Sequence, residues 1–304
     1  MPTYEGDDGT PLHYDVLGTT ASATPVIVLA GGAARHPEYL EDLGGLSANW
    51  RLSLPHLRGV GRSPAPTAVE LGSFWQQAAD VDRLREHLGV QRCLVAGHSA
   101  GTRVAISYAA QFPDRLSGLL LITPPAAYLV DVPPDTDEMT SARRGEPAFD
   151  SALVAMEAGP DTSSDNTFND WQQAIAPMSY AKWGEREQLH ARIGRYDLAA
   201  ARAFFSVDAP ADLAQRLRAV TAPVLVVAGG QDVVTGLAPM LAMADLFTAG
   251  RAVVIEQCGH YPWMEQPAAF RCAVDPFLEG GAAALTAGRR GTRRRDTVTK
   301  RSGR

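Results

Sequence analysis

A doubly wound α/β protein with a mostly parallel sheet of about eight strands is predicted by three features of this sequence. Several short segments are apolar throughout rather than alternating, as strands buried on both faces are. Between them lie stretches with apolar residues at helical spacing, closed by Gly or Pro. That rhythm breaks between about residues 126 and 218, where the chain is rich in turns and helical segments and holds no convincing strand.

The elements follow in order. An early antiparallel strand contains His13, and the apolar run 25–30 is a buried strand ending at Gly31-Gly32. The next strand, 51–54, stops at Pro55. Phe74, Ala78, Val81, Leu84 and Leu88 share a helical face, with Gly89 as the cap. Strand 93–96 runs into Gly97, helix 102–112 is stopped by Pro113, and strand 119–123 is closed by Pro124-Pro125. Strands 223–228 and 252–256 come much later, with a helix over 237–247 between them and a last helix over 268–278. The chain is thus expected to divide into a core of 1–125 and 219–280, a helical cap of 126–218 inserted after the sixth strand, and a disordered basic tail of 281–304. The cap is expected over the carboxyl edge of the sheet, where open α/β sheets bind ligands.

Composition narrows the function classes. The chain has 304 residues, 45% of them hydrophobic, which supports a large core and excludes disordered or collagen-like chains. No apolar run approaches the roughly 20 residues of a membrane span, and the polar, acidic start MPTYEGDDGT is unlike a signal or transit peptide. Cys93, Cys258 and Cys272 are too few and too scattered for a disulfide framework or a zinc site, so they are read as reduced thiols of a cytoplasmic protein. The net charge is -6, yet residues 289–304 carry eight Lys/Arg against one Asp. That stretch reads as a solvated extension, with a polyanion-binding arm as the alternative. The acidic body argues against a nucleic-acid substrate.

The strongest chemical signal is Gly97-His98-Ser99-Ala100-Gly101, which follows a strand and opens a helix. In that context G-x-S-x-G is a tight turn that presents a nucleophilic serine hydroxyl. Such a hydroxyl needs a base. Among histidines 13, 36, 56, 87, 98, 190 and 260, His260 lies just after the last strand, at the carboxyl edge of the sheet. His98 is locked beside the serine and cannot turn its ring onto that hydroxyl. The acid that orients the base is expected to be Asp232, after the penultimate strand, with the mid-helix Asp245 as the alternative. A tetrahedral oxyanion needs two N–H donors. These are expected from Ala100 and from the loop Gly31-Gly32-Ala33-Ala34, at Gly32. Gly59-Val60-Gly61-Arg62-Ser63 precedes prolines rather than a helix, so it is not a phosphate loop.

With these residues in view, positions 4–280 resemble the α/β-hydrolase superfamily, in which the order Ser99, Asp232, His260 is the usual one. Within it the chain is most similar to the proline iminopeptidase group. Gly31-Gly32 resembles that group's His-Gly-Gly-Pro loop, and Arg58-Gly59-Val60-Gly61-Arg62-Ser63 resembles its Arg-Gly-x-Gly-Arg-Ser loop. Gly259-His260 followed by Glu265-Gln266-Pro267 is common across the superfamily. Ala30 and Ala33 stand where the group has His and Pro. The resemblance implies release of an N-terminal proline or other small amino acid from peptides or amides, with no metal or organic cofactor. It also implies acidic cap residues that hold the substrate's free amine. Lys182-Trp183-Gly184-Glu185 resembles the group's Trp-Glu segment, so Trp183 with Glu185 or Glu187 is the candidate amine site, a solvated helix face being the alternative. The partner is then a small molecule or short peptide, not a nucleic acid or a membrane. An esterase, lactonase or thioesterase on a small hydrophobic substrate would use the same serine, acid and histidine.

Overall fold

The computed structural model describes residues 2–18 and 25–293, with side chains up to Ala283. Eight strands form one sheet: β1 (Thr3–Glu5), β2 (Pro11–Leu17), β3 (Val26–Leu29), β4 (Leu52–Pro55), β5 (Cys93–His98), β6 (Leu116–Ile122), β7 (Val224–Gly229) and β8 (Gly250–Ile255). Their spatial order is β1-β2-β4-β3-β5-β6-β7-β8. The pairs β1 with β2 and β2 with β4 are antiparallel, and every other neighbouring pair is parallel.

The unbroken apolar runs have a direct cause. Successive side chains of a strand point to opposite faces, and here both faces are covered. Ile27, Leu29, Val95, Leu119, Leu121, Val224 and Val226 pack on one side with α1 (Gln77–His87) and α2 (Gly101–Gln111). Val26, Val28, Leu94, Ala96, Leu120, Ile122, Leu225 and Val227 pack on the other with Phe270, Val274 and Phe277 of the C-terminal helix.

Between β6 and β7 come α3 (Thr136–Ala142), α4 (Pro147–Ala158), α5 (Asp165–Ile175), α6 (Glu185–Ala191), α7 (Leu198–Phe204) and α8 (Leu213–Leu217), with no strand of the sheet among them. Local sequence sets their ends. Pro147 opens α4, Ser164 caps α5 through a reciprocal bond with Thr167, and Asp197 accepts the Ala200 N–H at 2.7 Å to start α7. Phe149 and Ala152 of α4 pack with Met178 and with Val233 from the loop after β7, so the insertion leans on the loop that carries Asp232.

After β7 follow α9 (Leu237–Ala244), α10 (Pro262–Glu265) and α11 (Pro267–Arg293). The last helix corrects the expectation that it ends at 278 and gives way to a structureless tail at 281. Gly281 is no stop signal there. A Cβ on it would lie 2.6 Å from the Leu94 side chain, so glycine permits close packing on the sheet. The alanines that follow are the strongest helix formers and carry the helix on. The remainder of the expected tail, 294–304, lies outside the described residues. Among the described residues no helix is long and apolar enough to cross a membrane.

Candidate active site

The turn from β5 into α2 presents Ser99 with φ 51, in the left-handed region that side chains rarely adopt. Its N–H donates to the Ile122 carbonyl at 2.9 Å, which ties the turn to the end of β6. The flanking glycines are steric requirements. A Cβ on Gly97 would lie 2.8 Å from the Gly101 carbonyl oxygen, and one on Gly101 would collide with the carbonyls of Leu29 and Ala30. With those positions bare, α2 starts close against β3, and Ser99 stays half-buried at the sheet edge.

Asp232 follows β7 and is 1% exposed. Its Oδ1 accepts the N–H groups of Val234 at 2.9 Å and Thr235 at 3.3 Å, and its Oδ2 accepts the Thr235 hydroxyl at 2.7 Å. These bonds hold the carboxylate in one orientation. Its Oδ2 also receives the Nδ1–H of His260 at 2.7 Å. A ring that donates from Nδ1 to a carboxylate keeps Nε2 as a proton acceptor. Asp245, the alternative acid, is exposed beyond the end of α9.

The His260 loop is held from several sides. Its N–H donates to the Ser179 carbonyl of the insertion at 2.8 Å. A Cβ on Gly259 would lie 2.8 Å from both the Ala181 nitrogen and the Ser179 oxygen, so the Gly-His pair exists because the insertion backbone passes here. Glu265 accepts N–H bonds from Gly259 at 3.0 Å and Tyr261 at 3.1 Å, the two residues flanking His260, and from Ala181 at 2.7 Å. Burial pushes its carboxyl up to about 7, against the lowering effect of these amide donors.

His98 is a further tie. Gly31 N–H donates to the Tyr39 hydroxyl at 2.7 Å, so that hydroxyl donates in turn to His98 Nδ1 at 2.7 Å. His98 Nε2–H then donates to the His260 carbonyl. Burial, with His260 close by, holds the His98 ring neutral, its pKa well below the usual histidine range.

Ser99, His260 and Gly32 share the wall of one cavity of about 140 Å³, together with Arg35, Tyr196 and Tyr261. The insertion adds Met156, Ile175 and Met178, which make part of that wall apolar. Among the described residues the wall holds no carboxylate side chain. The residues expected to form the amine site lie outside this wall. Trp183 packs at a tilt beside Tyr180 and lines a different cavity, with Gln188 and Arg192. Glu185 is exposed, and Glu187 accepts the Gly184 N–H at 2.9 Å as part of the helix cap of α6. Of the two acids that looked like an amine clamp, Glu187 serves the start of its own helix.

Sequence reasoning also passed over Arg35, Tyr39, Tyr196 and Tyr261. The sequence signals only that aromatic residues follow His260 and that a charged residue follows the Gly-rich loop.

These features agree with comparison to known proteins. The model of the α/β hydrolase fold family matches residues 24–267, and the chain belongs to that family. A probable proline iminopeptidase from Leptolyngbya boryana is 25% identical over 283 residues, covering 82% of this chain and 84% of that protein. A thermophilic esterase from Thermogutta terrifontis superposes with a TM-score of 0.67 at 24% identity, over 92% of this chain and 98% of the esterase. The proline iminopeptidase of Mycobacterium smegmatis gives a TM-score of 0.68 at 21% identity, over 93% and 99% of the two chains. Both structural likenesses speak to the fold.

Proposed function

We propose that this protein is a serine hydrolase that cleaves small carboxylic esters through an acyl-enzyme. Ser99 attacks the ester carbonyl while His260 Nε2 takes its proton. Asp232 holds the ring through Nδ1 and stabilises the imidazolium that forms. The N–H groups of Gly32 and Ala100 receive the developing oxyanion. His260 then protonates the departing alcohol, and water repeats the sequence to release the acid. The observation that carries this reading is the 2.7 Å pair between His260 and Asp232, with Ser99 and His260 on the wall of one cavity.

The ester preference rests on that wall. A substrate with a free N-terminal amine would bring a buried ammonium into a cavity that, among the described residues, is lined by no carboxylate and is flanked by Arg35. Burying such a charge without a partner costs several kcal/mol. The second reading, release of an N-terminal proline, is favoured by the Leptolyngbya boryana relative, which matches over most of both chains. A panel of 4-nitrophenyl esters from acetate to hexanoate, run beside prolyl and alanyl 4-nitroanilides, decides between the two. Turnover of the esters, absent in Ser99→Ala, is expected. Selective turnover of the free-amine anilides would transfer the conclusion to the peptidase reading.

A further inference from the structure

Arg35 is 3% exposed, and its guanidinium is held by uncharged groups. Nε donates to the carbonyls of Ile193 and Gly194, both at 3.2 Å. Nη2 donates to the carbonyls of Ala191 at 3.2 Å and Ile193 at 2.6 Å. Nη1 donates to the Tyr261 hydroxyl at 2.9 Å, and the group lies over the Tyr39 ring at 4.2 Å. Among the described residues no carboxylate pairs with it. Carbonyl dipoles and a ring face offset part of the cost of burying a cation, but its charge stays uncompensated, which interiors avoid.

The donor count sharpens this. A guanidinium has five N–H groups. The bonds above use the one on Nε, both on Nη2 and one on Nη1, so one Nη1 proton has no acceptor among the described residues. The Tyr261 oxygen accepts from Arg35, and its own proton likewise has no acceptor there. Two donors on atoms 2.9 Å apart, with a net positive charge, remain on side chains that line the Ser99 cavity. Arginine and phenol donors in this arrangement match the two oxygens of one carboxylate.

We propose that Arg35 and Tyr261 form a carboxylate-binding subsite in the Ser99 cavity, so that the preferred substrate is an ester carrying a free carboxylate. The proposal rests on the ester-hydrolase reading. The carboxylate belongs either to the acyl half, as in a half-ester of a short dicarboxylic acid, or to the alcohol half, as in an ester of a hydroxy acid.

The test compares matched pairs. The acyl pair is 4-nitrophenyl hemiglutarate against 4-nitrophenyl valerate, and the alcohol pair is butyryl glycolate against propyl butyrate. In the wild type, the charged member of at least one pair is expected to have the higher kcat/KM, by tenfold or more, with the difference in KM. Tyr261→Phe is expected to shrink that ratio several-fold, and Arg35→Met to abolish it. Because Arg35 also ties down the 191–194 backbone, the wild-type ratio and Tyr261→Phe keep the test decisive if Arg35→Met does not fold. Preference for the neutral member of both pairs overturns the subsite. A calorimetric titration of Ser99→Ala separates the two claims. If no ester is turned over, the hydrolase reading falls, but monomethyl glutarate binding tenfold tighter than methyl valerate, or butyryl glycolate than propyl butyrate, still supports the subsite, and equal binding within both pairs overturns it.

Discussion

His98 donates its Nε2–H to the carbonyl oxygen of His260 at 2.9 Å, so the residue before the proposed nucleophile holds the backbone of the proposed base. The same carbonyl accepts the Thr123 hydroxyl at 3.1 Å, from the end of β6. His98 in turn receives the Tyr39 hydroxyl proton, and Tyr39 receives the N–H of Gly31, beside the proposed oxyanion donor Gly32. One buried relay thereby connects the loop after β3, the serine turn and the histidine loop. Each member is a fixed donor or acceptor, so the parts move together or not at all.

Replacing His98 by Leu removes both ends of this relay at similar volume. It leaves the Tyr39 hydroxyl without its acceptor, which costs about 1–3 kcal/mol for a buried polar group. The unfolding midpoint in denaturant is expected to fall accordingly, and kcat to fall by at least about tenfold as the His260 loop loosens. A variant with wild-type kcat and midpoint would show that the relay has no structural role.

Ser99→Ala, His260→Ala and Asp232→Asn are each expected to lower kcat on the order of 10³-fold or more, and the double variant Ser99→Ala/His260→Ala to be little worse than either single one, because such groups act as a unit. Steady-state rates on one activated ester, with circular dichroism to check folding, give the answer. Independent, multiplying losses would contradict a common acyl-enzyme route.

Gly101→Ala places a methyl group against the backbone carbonyls of Leu29 and Ala30, which have no flexible end to yield. A loss of about 1–3 kcal/mol is expected, the range for overpacked positions. Chemical denaturation measures it, and an unchanged midpoint would mean that the serine turn is looser than its geometry implies.

Glu265 predicts a pH dependence with a definite sign. Burial raises its carboxyl from 4.5 in the free side chain to about 7 in the folded protein. Between those values the folded state keeps a proton that the unfolded chain has released. This group's contribution is therefore fully present below about 4.5 and is lost as pH rises through about 7. Glu265→Gln removes the titration, and its amide NH₂ faces N–H groups it cannot accept from. The variant is expected to be less stable at pH 5 by about 1–3 kcal/mol, with a flatter stability profile from pH 5 to 8. Denaturation curves at both pH values on both proteins test this. Parallel profiles would place the pH dependence elsewhere.

The sheet was legible because strands covered on both faces must be apolar throughout, as the run 26–29 is. The candidate triad was legible because a tight serine turn needs Gly97 and Gly101, and because Asp232 and His260 follow successive strands at one edge. Arg35 was not legible. Its acceptors are backbone carbonyls at 191–194, more than 150 residues away, and carbonyls leave no mark in side-chain identity. The end of the last helix was missed for a similar reason: whether Gly281 stops a helix or packs against Leu94 depends on a partner from β5.

The acids of α6 supply the final prediction. Glu185 and Glu187 follow Trp183 in a pattern that suggested an amine clamp, yet neither lines the Ser99 cavity. Glu187 accepts the Gly184 N–H at 2.9 Å and sits in the first turn, where a carboxylate also meets the positive end of the helix. Glu187→Gln keeps an acceptor oxygen but drops the charge, so a loss of only about 0.3–1 kcal/mol is expected. Glu187→Ala also drops the bond and is expected to cost about 0.5–2 kcal/mol, as helix caps do. Exposed Glu185→Gln is expected to stay within about 0.5 kcal/mol of the wild type. None of the three is expected to change the ratio of kcat/KM for a prolyl anilide against a plain ester. That ratio, measured beside the unfolding midpoints, is the discriminating quantity. A several-fold drop in the anilide arm alone for either Gln variant would bring the α6 acids back to the substrate and, with them, the peptidase reading.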